Sequence, residues 1–569
     1  MHFCGVLVRR PNEAQPWRER FESLVATESV GPRLARLQLG ACEIVYDDRL
    51  TRCSAGDHGV IVNTGALLAG ADIPFSDALR GSIPLSTVLV NCRGNFAGAW
   101  LDAAGRNLVL FSDLLGTHPL YYCSTQGAVF FSTSERVLVS LLRGSLSIDQ
   151  QGLLEICTFG FPLAERTAYR EIRCMDAAQI LRVDDSGEGT AVEAYFPWRS
   201  LDIAESKDID QLADRTHAAF TDAIRRREQP GARSITLLSG GMDSRAILAV
   251  QTENGARPDT VSISHPKALD AELARQVAGA LGSPLSFHPI EHSAYASVGG
   301  LAAALHDILA RSTPANAPSV RVWSGDGGSV GLGGVYLSTR TLDFATVGDL
   351  SGLASKFLAE NGLAGPSKRL FVRSLDAGSF AARAMLGELK RFKTSRLAQI
   401  PYLFLMLNDQ RRHLHYFFEL KLRAPFEFVT PFWDSEFLRT MLECPDHEVL
   451  YHRFYSRFFE KLPSRARSVP WQTYPGHAPC PLPLPDGFDY NWDHAPREAD
   501  LRDAHERARG VLRRCVSADF PTNLLRRSMA AAAAIVVLRS SDPDRAYLVH
   551  HAEIALRHFD ATDGIRTRQ

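Results

Sequence analysis

The fold is decided by the stretch Ser234-Ile-Thr-Leu-Leu-Ser-Gly-Gly-Met-Asp-Ser244. Its first five residues are mostly apolar, as in a strand that is buried on both faces of a parallel sheet. Two glycines then permit a tight turn, and the residues that follow have helical composition up to Gly255. This pattern predicts a buried strand, a tight loop and a helix.

The neighbouring segments continue the alternation of helix and strand. The sequence predicts a helix at 212–226, a strand at 260–264 and a helix at 270–281 that ends at Gly282. Short connections between such elements are typical of a doubly wound parallel sheet. Beyond residue 340 the pattern is mostly helical, apart from a proline-rich segment at 470–485.

The first 200 residues have a different pattern, in which short β segments alternate with Gly, Asp and Asn turns. Clear examples are 6–8, 60–63, 108–112 and 129–132. A chain of 569 residues is also too long for one compact domain. We therefore predict two domains, 1–200 and 201–569, in an α/β protein.

Composition excludes some classes of partner. The chain has 63 Lys and Arg against 64 Asp and Glu, a net charge of −1, which gives no field for a nucleic acid or an anionic membrane. The most apolar stretch, 529–538, is half the length of a membrane span and predicts a buried helix. The start lacks the pattern of a signal peptide, and the ten cysteines form no CxxC pair, so we expect a cytoplasmic protein with reduced thiols.

The loop after the 234–238 strand has the chemistry of a pyrophosphate site. Gly240 and Gly241 let backbone N–H groups approach a ligand, and the helix start adds unpaired donors. Ser239 and Ser244 add hydroxyl groups, while Asp243 can hold Mg²⁺ between phosphate oxygens. The chain contains no Gly-Lys dipeptide, so this is not a Walker A loop. The alternative is a plain strand–turn–helix corner in which a Ser or Asp caps the helix.

Residues 237–244 resemble the pyrophosphate loop of N-type ATP pyrophosphatases, and of asparagine synthetases in particular. Other segments resemble that family in the same order along the chain. They are Asp113-Leu-Leu-Gly-Thr-His-Pro-Leu-Tyr-Tyr122, Ser134-Glu135, Phe159-Gly160, Tyr195-Phe-Pro-Trp198, Ser324-Gly-Asp-Gly-Gly328 and Pro431-Phe-Trp-Asp434.

This resemblance implies an N-terminal glutaminase with an Ntn-hydrolase-like αββα sandwich and a C-terminal ATP pyrophosphatase domain. It implies ATP and Mg²⁺ as cofactors, and a small carboxylate with ammonia or glutamine as substrates; a homodimer is left open. The implied residues are Cys4 and Asp243 for catalysis, Asn63 for glutamine, Asp243 for the metal, and Leu238, Ser239, Gly240, Gly241, Ser244, Ile263, Ser324 and Gly325 for the nucleotide.

The glutaminase half departs from the family pattern at three places. His2 and Phe3 separate Cys4 from the initial methionine, whereas the family attacks glutamine with a cysteine at the free N-terminus. Asn63 is retained without the carboxylate that follows it in relatives, and Arg93 stands at an acidic position. We favour Cys4 as a small buried residue of the first strand, and ammonia or an amine as the nitrogen source.

The synthetase half departs at the second nucleotide loop and near its end. Ser329 stands where relatives hold magnesium with an aspartate, so we expect Asp326 to take over part of that role; the alternative is a turn aspartate that caps its own backbone. A lysine of the family aligns near Trp471, where Arg465 and Arg467 could supply positive charge.

Two other patterns are weaker. Residues 327–331 match GxSxG, but the strand expected at 320–323 ends too early for a nucleophile elbow. His413 and His415 lie on different faces of the expected helix, which favours solvent-facing or capping histidines over a zinc site.

The resemblance implies a ligase that adenylates a carboxylate with ATP, releases pyrophosphate and forms an amide, with asparagine from aspartate as the default product. Alternatives are enzymes that close a β-lactam, cyclise a lasso peptide, or amidate a specialised metabolite or surface sugar. A relative that binds the nucleotide without catalysis is a further alternative.

Overall fold

The structure is a computed structural model that describes residues 2–9, 19–23, 34–68, 77, 83–125, 127–183, 190–229, 231–264, 267–290, 298–312, 320–363, 367–372, 375, 377, 379–419, 426–472 and 498–562. Most of the proline-rich segment, from residue 473 onward, lies outside these residues.

The N-terminal part contains two six-stranded antiparallel sheets that pack face to face. Their strand orders are β10-β8-β9-β1-β3-β2 and β12-β11-β7-β6-β5-β4. The strands are β1 (Phe3–Val8), β2 (Leu34–Leu39), β3 (Cys42–Asp47), β4 (Thr51–Gly56), β5 (Gly59–Gly65), β6 (Phe96–Asp102), β7 (Leu108–Ser112), β8 (Tyr121–Ser124), β9 (Ala128–Ser132), β10 (Arg173–Cys174), β11 (Gln179–Val183) and β12 (Thr190–Ala194).

Helices cover the outer faces of both sheets. Phe3, Ile44, Val62 and Leu110 belong to the core between the sheets. Helix Glu135–Leu141 packs on the outer face of the first sheet, and helix Leu85–Asn91 packs on the outer face of the second. The layers are therefore helix, sheet, sheet, helix, which confirms the expected αββα sandwich.

The second part is built on a five-stranded parallel sheet of order β15-β14-β13-β16-β17. Its strands are β13 (Ser234–Leu237), β14 (Asp259–Ser264), β15 (Leu285–Pro289), β16 (Val320–Trp323) and β17 (Phe426–Val429). All of them run in the same direction, so their carboxyl ends share one edge. The strands and helices expected here lie within three residues of their sequence-based bounds, and the doubly wound parallel sheet is confirmed.

Helices surround this sheet and make up most of the other described elements. They are Gln150–Phe159, Ile209–Arg227, Asp243–Glu253, Leu269–Leu281, Val298–Ser312, Gly328–Gly333, Thr339–Thr346, Leu350–Glu360, Phe380–Leu389, Ile400–Phe404, Arg411–Phe418, Ser435–Leu442, Asp446–Val449, Arg453–Glu460, Ser464–Arg467, Glu498–Val516, Arg527–Leu538 and Tyr547–Thr562, with a π-helix at Leu405–Gln410.

The most apolar stretch forms helix Arg527–Leu538 and buries one face through Ala530, Ala534 and Val537. Ile535 and Val536 remain 40% and 43% exposed, so the expectation of a buried helix holds for one face only. No described helix combines the length and apolarity that crossing a bilayer requires.

Candidate functional site

A cavity of about 820 Å³ opens at the carboxyl edge of the parallel sheet. Ligands of doubly wound folds bind at this edge because the loops that leave adjacent strands converge there. The sequence-predicted residues that line it are Leu238, Ser239, Gly241, Asp243, Ser244, Ile263, Ser324, Gly325 and Asp326. The loops after β13 and β16 and the end of β14 thus meet at one cavity.

The loop after β13 is held by its own hydroxyl groups. The backbone N–H of Ser239 donates to Ser244 Oγ at 3.0 Å, and the two hydroxyl groups lie 3.0 Å apart. The N–H of Gly241 donates to Ser239 Oγ at 3.2 Å. Helix Asp243–Glu253 starts directly after this loop, so its positive end points to the same place. These are the features of an anion site.

Gly240 lies behind the loop. Its N–H donates to Asp270 Oδ1 at 2.7 Å. Asp270 stands in the first turn of helix Leu269–Leu281 and also lines the cavity. The sequence analysis missed Asp270, although an acid in the first turn of the helix after β14 was a signal that could have pointed to it.

The Asp243 carboxylate is surrounded by donors from distant segments. Tyr455 OH donates to Oδ1 at 2.5 Å, and Ser329 Oγ donates to Oδ2 at 2.9 Å. Burial raises the pKa of this carboxyl to about 6, against the opposing effect of these hydrogen bonds. The negative charge of Asp326 contributes to the same rise in pKa. A nearby cation would therefore stabilise the ionised form of the Asp243 carboxyl.

The loop after β16 packs directly against Asp243. A Cβ added at Gly325 would lie 2.8 Å from the Cβ of Asp243, and one added at Gly328 would lie 2.6 Å from its Cγ. Glycine is therefore required at both positions for close approach of the two loops. Ser329 lies in helix Gly328–Gly333, six residues beyond the end of β16, so the GxSxG match is not a nucleophile elbow.

Asp326 lies on the same cavity as Asp243. Its Oδ2 accepts from Ser324 Oγ at 2.5 Å, and its N–H donates to the same hydroxyl at 3.3 Å. A metal role and a turn role both suit this arrangement. Among the described residues, no three His, Cys, Asp or Glu side chains form a metal site. Two carboxylates fit Mg²⁺ where a nucleotide supplies phosphate oxygens as the other ligands.

Arg245 is a buried residue that the sequence analysis did not select. Its guanidinium donates to the carbonyl groups of Gly240, Ala466, Val469 and Pro470. The side chain is fully buried and thus connects residues 239–244, the phosphate-side loop, to residues 466–470. No local pattern predicts the contacts with Ala466, Val469 and Pro470, because these partners lie more than 200 positions away.

The residues near the aligned family lysine do not supply a cation to the cavity. Trp471 packs on Phe459 with ring centroids 5.0 Å apart. Arg465 and Arg467 are exposed and do not line the cavity, and Arg467 Nε donates to the carbonyl of Leu462. The suggestion that these arginines provide positive charge at the site is therefore not supported.

Cys4 lies within β1, between Val45 of β3 and Ser132 of β9, and is 1% exposed. It belongs to the apolar core beneath helix Glu135–Leu141. His2 is also built into the fold, because its Nδ1 lies 2.7 Å from Thr64 Oγ1. A strand residue packed in this way agrees with the interpretation that Cys4 is a structural residue.

The other two glutaminase positions differ: the buried Asn63 Nδ2 has no hydrogen-bond partner among the described residues, whereas Arg93 is paired. Asn63 is a buried residue of β5. Arg93 forms an ion pair with Glu436, with 2.7 Å between Nη2 and Oε1, which joins the N-terminal part to helix Ser435–Leu442. The Arg93 guanidinium therefore forms a contact at the interface between the two parts.

The two histidines of helix Arg411–Phe418 differ. His413 is exposed at the cavity, as expected of a solvent-facing residue. His415 is 3% exposed, and its Nε2 lies 2.9 Å from the carbonyl oxygen of Gly116. The expectation of a solvent-facing or capping residue is wrong for His415, because this helix packs against the N-terminal part.

The chain matches two family models in order: glutamine amidotransferase domain over residues 86–196 and asparagine synthase over residues 215–320. A Mycobacterium tuberculosis relative, provisionally named a glutamine-hydrolyzing asparagine synthetase, is 25% identical over 197 residues, 34% of this chain and 30% of the relative. The carboxyethyl-arginine beta-lactam-synthase of Streptomyces clavuligerus is 28% identical over 178 residues, 30% of this chain and 31% of that protein. Asparagine synthetase 3 of Bacillus subtilis is 26% identical over 161 residues, 28% of this chain and 25% of that protein.

Each similarity therefore spans about a third or less of the curated relative. The order of the two family matches agrees with the order of the antiparallel sandwich and the parallel sheet along the chain. Together, the family matches over residues 86–196 and 215–320 and the asparagine synthetase relatives support an asparagine synthetase-family protein.

Proposed function

We propose that this protein is an ATP-dependent, amide-forming ligase that adenylates a carboxylate, releases pyrophosphate and transfers the acyl group to an amine. The observation that carries the proposal is the convergence of the Ser239–Ser244 loop and the Ser324–Gly328 loop on one cavity with two carboxylates, Asp243 and Asp326. When bound, Mg²⁺ would supply charge neutralisation at the phosphates. A protein that only binds nucleotide has no need for a buried acid such as Asp243.

In the proposed reaction, the Ser239 and Ser244 hydroxyl groups and the start of helix Asp243–Glu253 bind the phosphates. Asp243 and Asp326 would hold the metal. Ile263, at the end of β14, provides an apolar contact for the base. Tyr455 and Ser329 orient the Asp243 carboxylate by donating to it.

The nitrogen source in this proposal is ammonia or an amine on the substrate. Supporting features are the position of Cys4 inside β1 and the ion pair between Arg93 and Glu436. Because position 93 carries a guanidinium and not a carboxylate, it offers no negative charge that could bind the amino group of glutamine.

Asparagine is the default product for this family, and formation of a lactam, a macrocyclic peptide or another amide is the alternative. The lining favours the alternative. Aspartate carries an α-carboxylate besides the carboxylate that reacts, and none of the described lining residues is a Lys or Arg that could pair with it.

The proposal places the enzyme in the cytoplasm. No disulfide joins the nine cysteines that the structure describes, which suits a reducing compartment. A homodimer remains part of the proposal, and light scattering after gel filtration would measure it.

The direct test is exchange of labelled pyrophosphate into ATP with a panel of carboxylic acids that includes aspartate. We expect Mg²⁺-dependent exchange with at least one non-aspartate acid. Exchange that only aspartate supports would favour asparagine synthesis. No exchange with any acid, despite tight ATP binding, would favour a non-catalytic relative.

A further inference from the structure

Part of the cavity lining has a different chemical character from the loops after β13 and β16. It contains several phenylalanines together with the polar residues Asp409 and Gln410. The residues used below are Phe159, Phe161, Phe417, Phe428, Asp409 and Gln410.

The aromatic wall is assembled from both parts of the chain. Phe159 and Phe161 come from the N-terminal part and stack with ring centroids 6.5 Å apart. Phe417 and Phe428 come from the second part, with centroids 4.8 Å apart and planes within 3°. Such a wall favours an apolar or aromatic group, because binding this group removes the apolar surface of the phenylalanine rings from water.

Asp409 is placed on this wall by an irregular helix. It lies in the π-helix Leu405–Gln410, a rare form that is frequent at functional sites. Gln410 Nε2 donates to Asp409 Oδ2 at 2.6 Å, and burial raises the pKa of the Asp409 carboxyl. Arg411 fixes the end of the π-helix by donating to the carbonyl groups of Met175 and Ala164 at 2.9 and 2.7 Å.

Among the described residues that line the cavity, the acidic ones are all aspartates and the basic ones are His413 and His452. Four aspartates line it, Asp243, Asp270, Asp326 and Asp409, and the described lining contains no Lys or Arg. A metal–nucleotide complex accounts for Asp243 and Asp326 in the function proposed above, and Asp270 holds Gly240. Asp409 has no Lys or Arg partner among the described lining residues; the imidazole of His413, four residues further along the chain, also lines the cavity and opposes the rise in the pKa of Asp409.

We propose that this part of the cavity binds the amine substrate, a primary ammonium on an apolar or aromatic body. Asp409 binds the ammonium, and the rings of Phe159, Phe161 and Phe417 pack against the body. The inference rests on the proposed ligase function and adds that the nitrogen source is an organic amine. Free ammonia has no apolar body for this wall.

The test is a ligand-observed NMR titration of the full chain without ATP, using four probes. Phenethylamine carries the ring and the ammonium, 2-phenylethanol is its neutral counterpart, 3-phenylpropionate is its anionic counterpart, and methylamine lacks the ring. We expect phenethylamine to bind most tightly, methylamine about tenfold more weakly, and 3-phenylpropionate most weakly.

Variants assign the binding to the named residues. Asp409→Asn keeps the size and a hydrogen-bond acceptor, and should weaken phenethylamine about tenfold while leaving 2-phenylethanol unchanged. Phe161→Ala should weaken both ring-bearing probes and leave methylamine unchanged. The matched control is Asp343→Asn, which removes an exposed acid from helix Thr339–Thr346 and should change nothing.

Two results would overturn the inference: 3-phenylpropionate binding as tightly as phenethylamine, or an Asp409→Asn variant with unchanged phenethylamine affinity. Because the titration contains no ATP, it is independent of the ligase proposal. Amine binding without pyrophosphate exchange would remove only the ligase function, whereas exchange without amine preference would remove only this inference.

Discussion

At the residue scale, the site depends on an acid that the fold keeps in an unfavourable place. Burial raises the pKa of the Asp243 carboxyl to about 6 from an ordinary value of 3.8. Ionised Asp243 therefore lowers the stability of the folded state, and the protein retains it beside the two loops that we propose bind the nucleotide. Functional sites commonly hold such groups.

The first prediction concerns Asp243→Asn and stability. Between pH 4 and 6, the Asp243 carboxyl is mostly ionised in the unfolded state but still protonated in the folded state. The free energy of unfolding of the parent therefore falls relative to that of the variant as pH rises, and the difference is constant above pH 6. We expect the variant to gain about 1 to 3 kcal/mol on the parent across this window. Urea unfolding at pH 4, 5, 6 and 7.5 measures this. A difference that shrinks with rising pH would contradict the assigned pKa.

The second prediction concerns the contact between the loops. Gly328→Ala places a Cβ 2.6 Å from the Cγ of Asp243, so the loops must separate. We expect a loss of about 1 to 3 kcal/mol and weaker ATP binding. Gly387→Ala is the control, because its Cβ would have no neighbour within 4 Å and it lies in helix Phe380–Leu389, where it should add up to about 1 kcal/mol. Equal behaviour of the two variants would argue against the tight contact.

At the element scale, Arg245 connects the phosphate-side loop with helix Ser464–Arg467 and the residues that follow it. Its four carbonyl partners would be left without this donor in Arg245→Met, and buried unsatisfied groups cost about 1 to 3 kcal/mol each.

The third prediction follows: Arg245→Met should lower the free energy of unfolding by at least about 3 kcal/mol and weaken ATP binding. Arg225→Met is the control, since that side chain is 69% exposed and pairs only with Asp222 one turn away. Urea unfolding and nucleotide titration compare the two. A small effect of Arg245→Met would show that residues 466–470 stay in place without the guanidinium.

Sequence patterns predicted the elements better than the contacts between them. Strands such as β7 and β16 were expected with the bounds that the structure has, because local apolar runs and turn residues determine them. The roles of Arg245, Asp270 and the π-helix were not predicted, since their partners or geometry depend on distant segments. His415 was misjudged for the same reason, because helical periodicity does not reveal which face meets another domain.

At the scale of the whole molecule, buried ion pairs and hydrogen bonds join the two parts. Arg227 Nη2 donates to Asn95 Oδ1 of the N-terminal part at 3.4 Å, while its Nη1 lies 2.8 Å from Asp434 Oδ2 within the second part. Tyr121 OH donates to Glu419 Oε1 at 2.5 Å across the same interface. The domain boundary near residue 200 stays a prediction, and these contacts indicate that the parts depend on each other.

The fourth prediction is that the parts unfold together. Arg227→Met leaves the buried Asp434 carboxylate with Arg226 at 3.3 Å, and should cost about 3 kcal/mol. Arg182→Met, which removes an exposed pair with Glu193, should cost less than about 1 kcal/mol. Calorimetry should show one transition that moves as a whole in Arg227→Met. Two separate transitions in the parent would contradict this dependence.

The central claim is that the cavity cleaves ATP to AMP and pyrophosphate through Asp243, and product analysis tests it most directly. With Mg²⁺, a competent carboxylic acid and an amine, the parent should release AMP and no ADP. Asp243→Asn should reduce AMP release about 100-fold or more, while the exposed control Asp343→Asn should match the parent. Release of ADP by the parent, or undiminished AMP release by Asp243→Asn, would contradict the account.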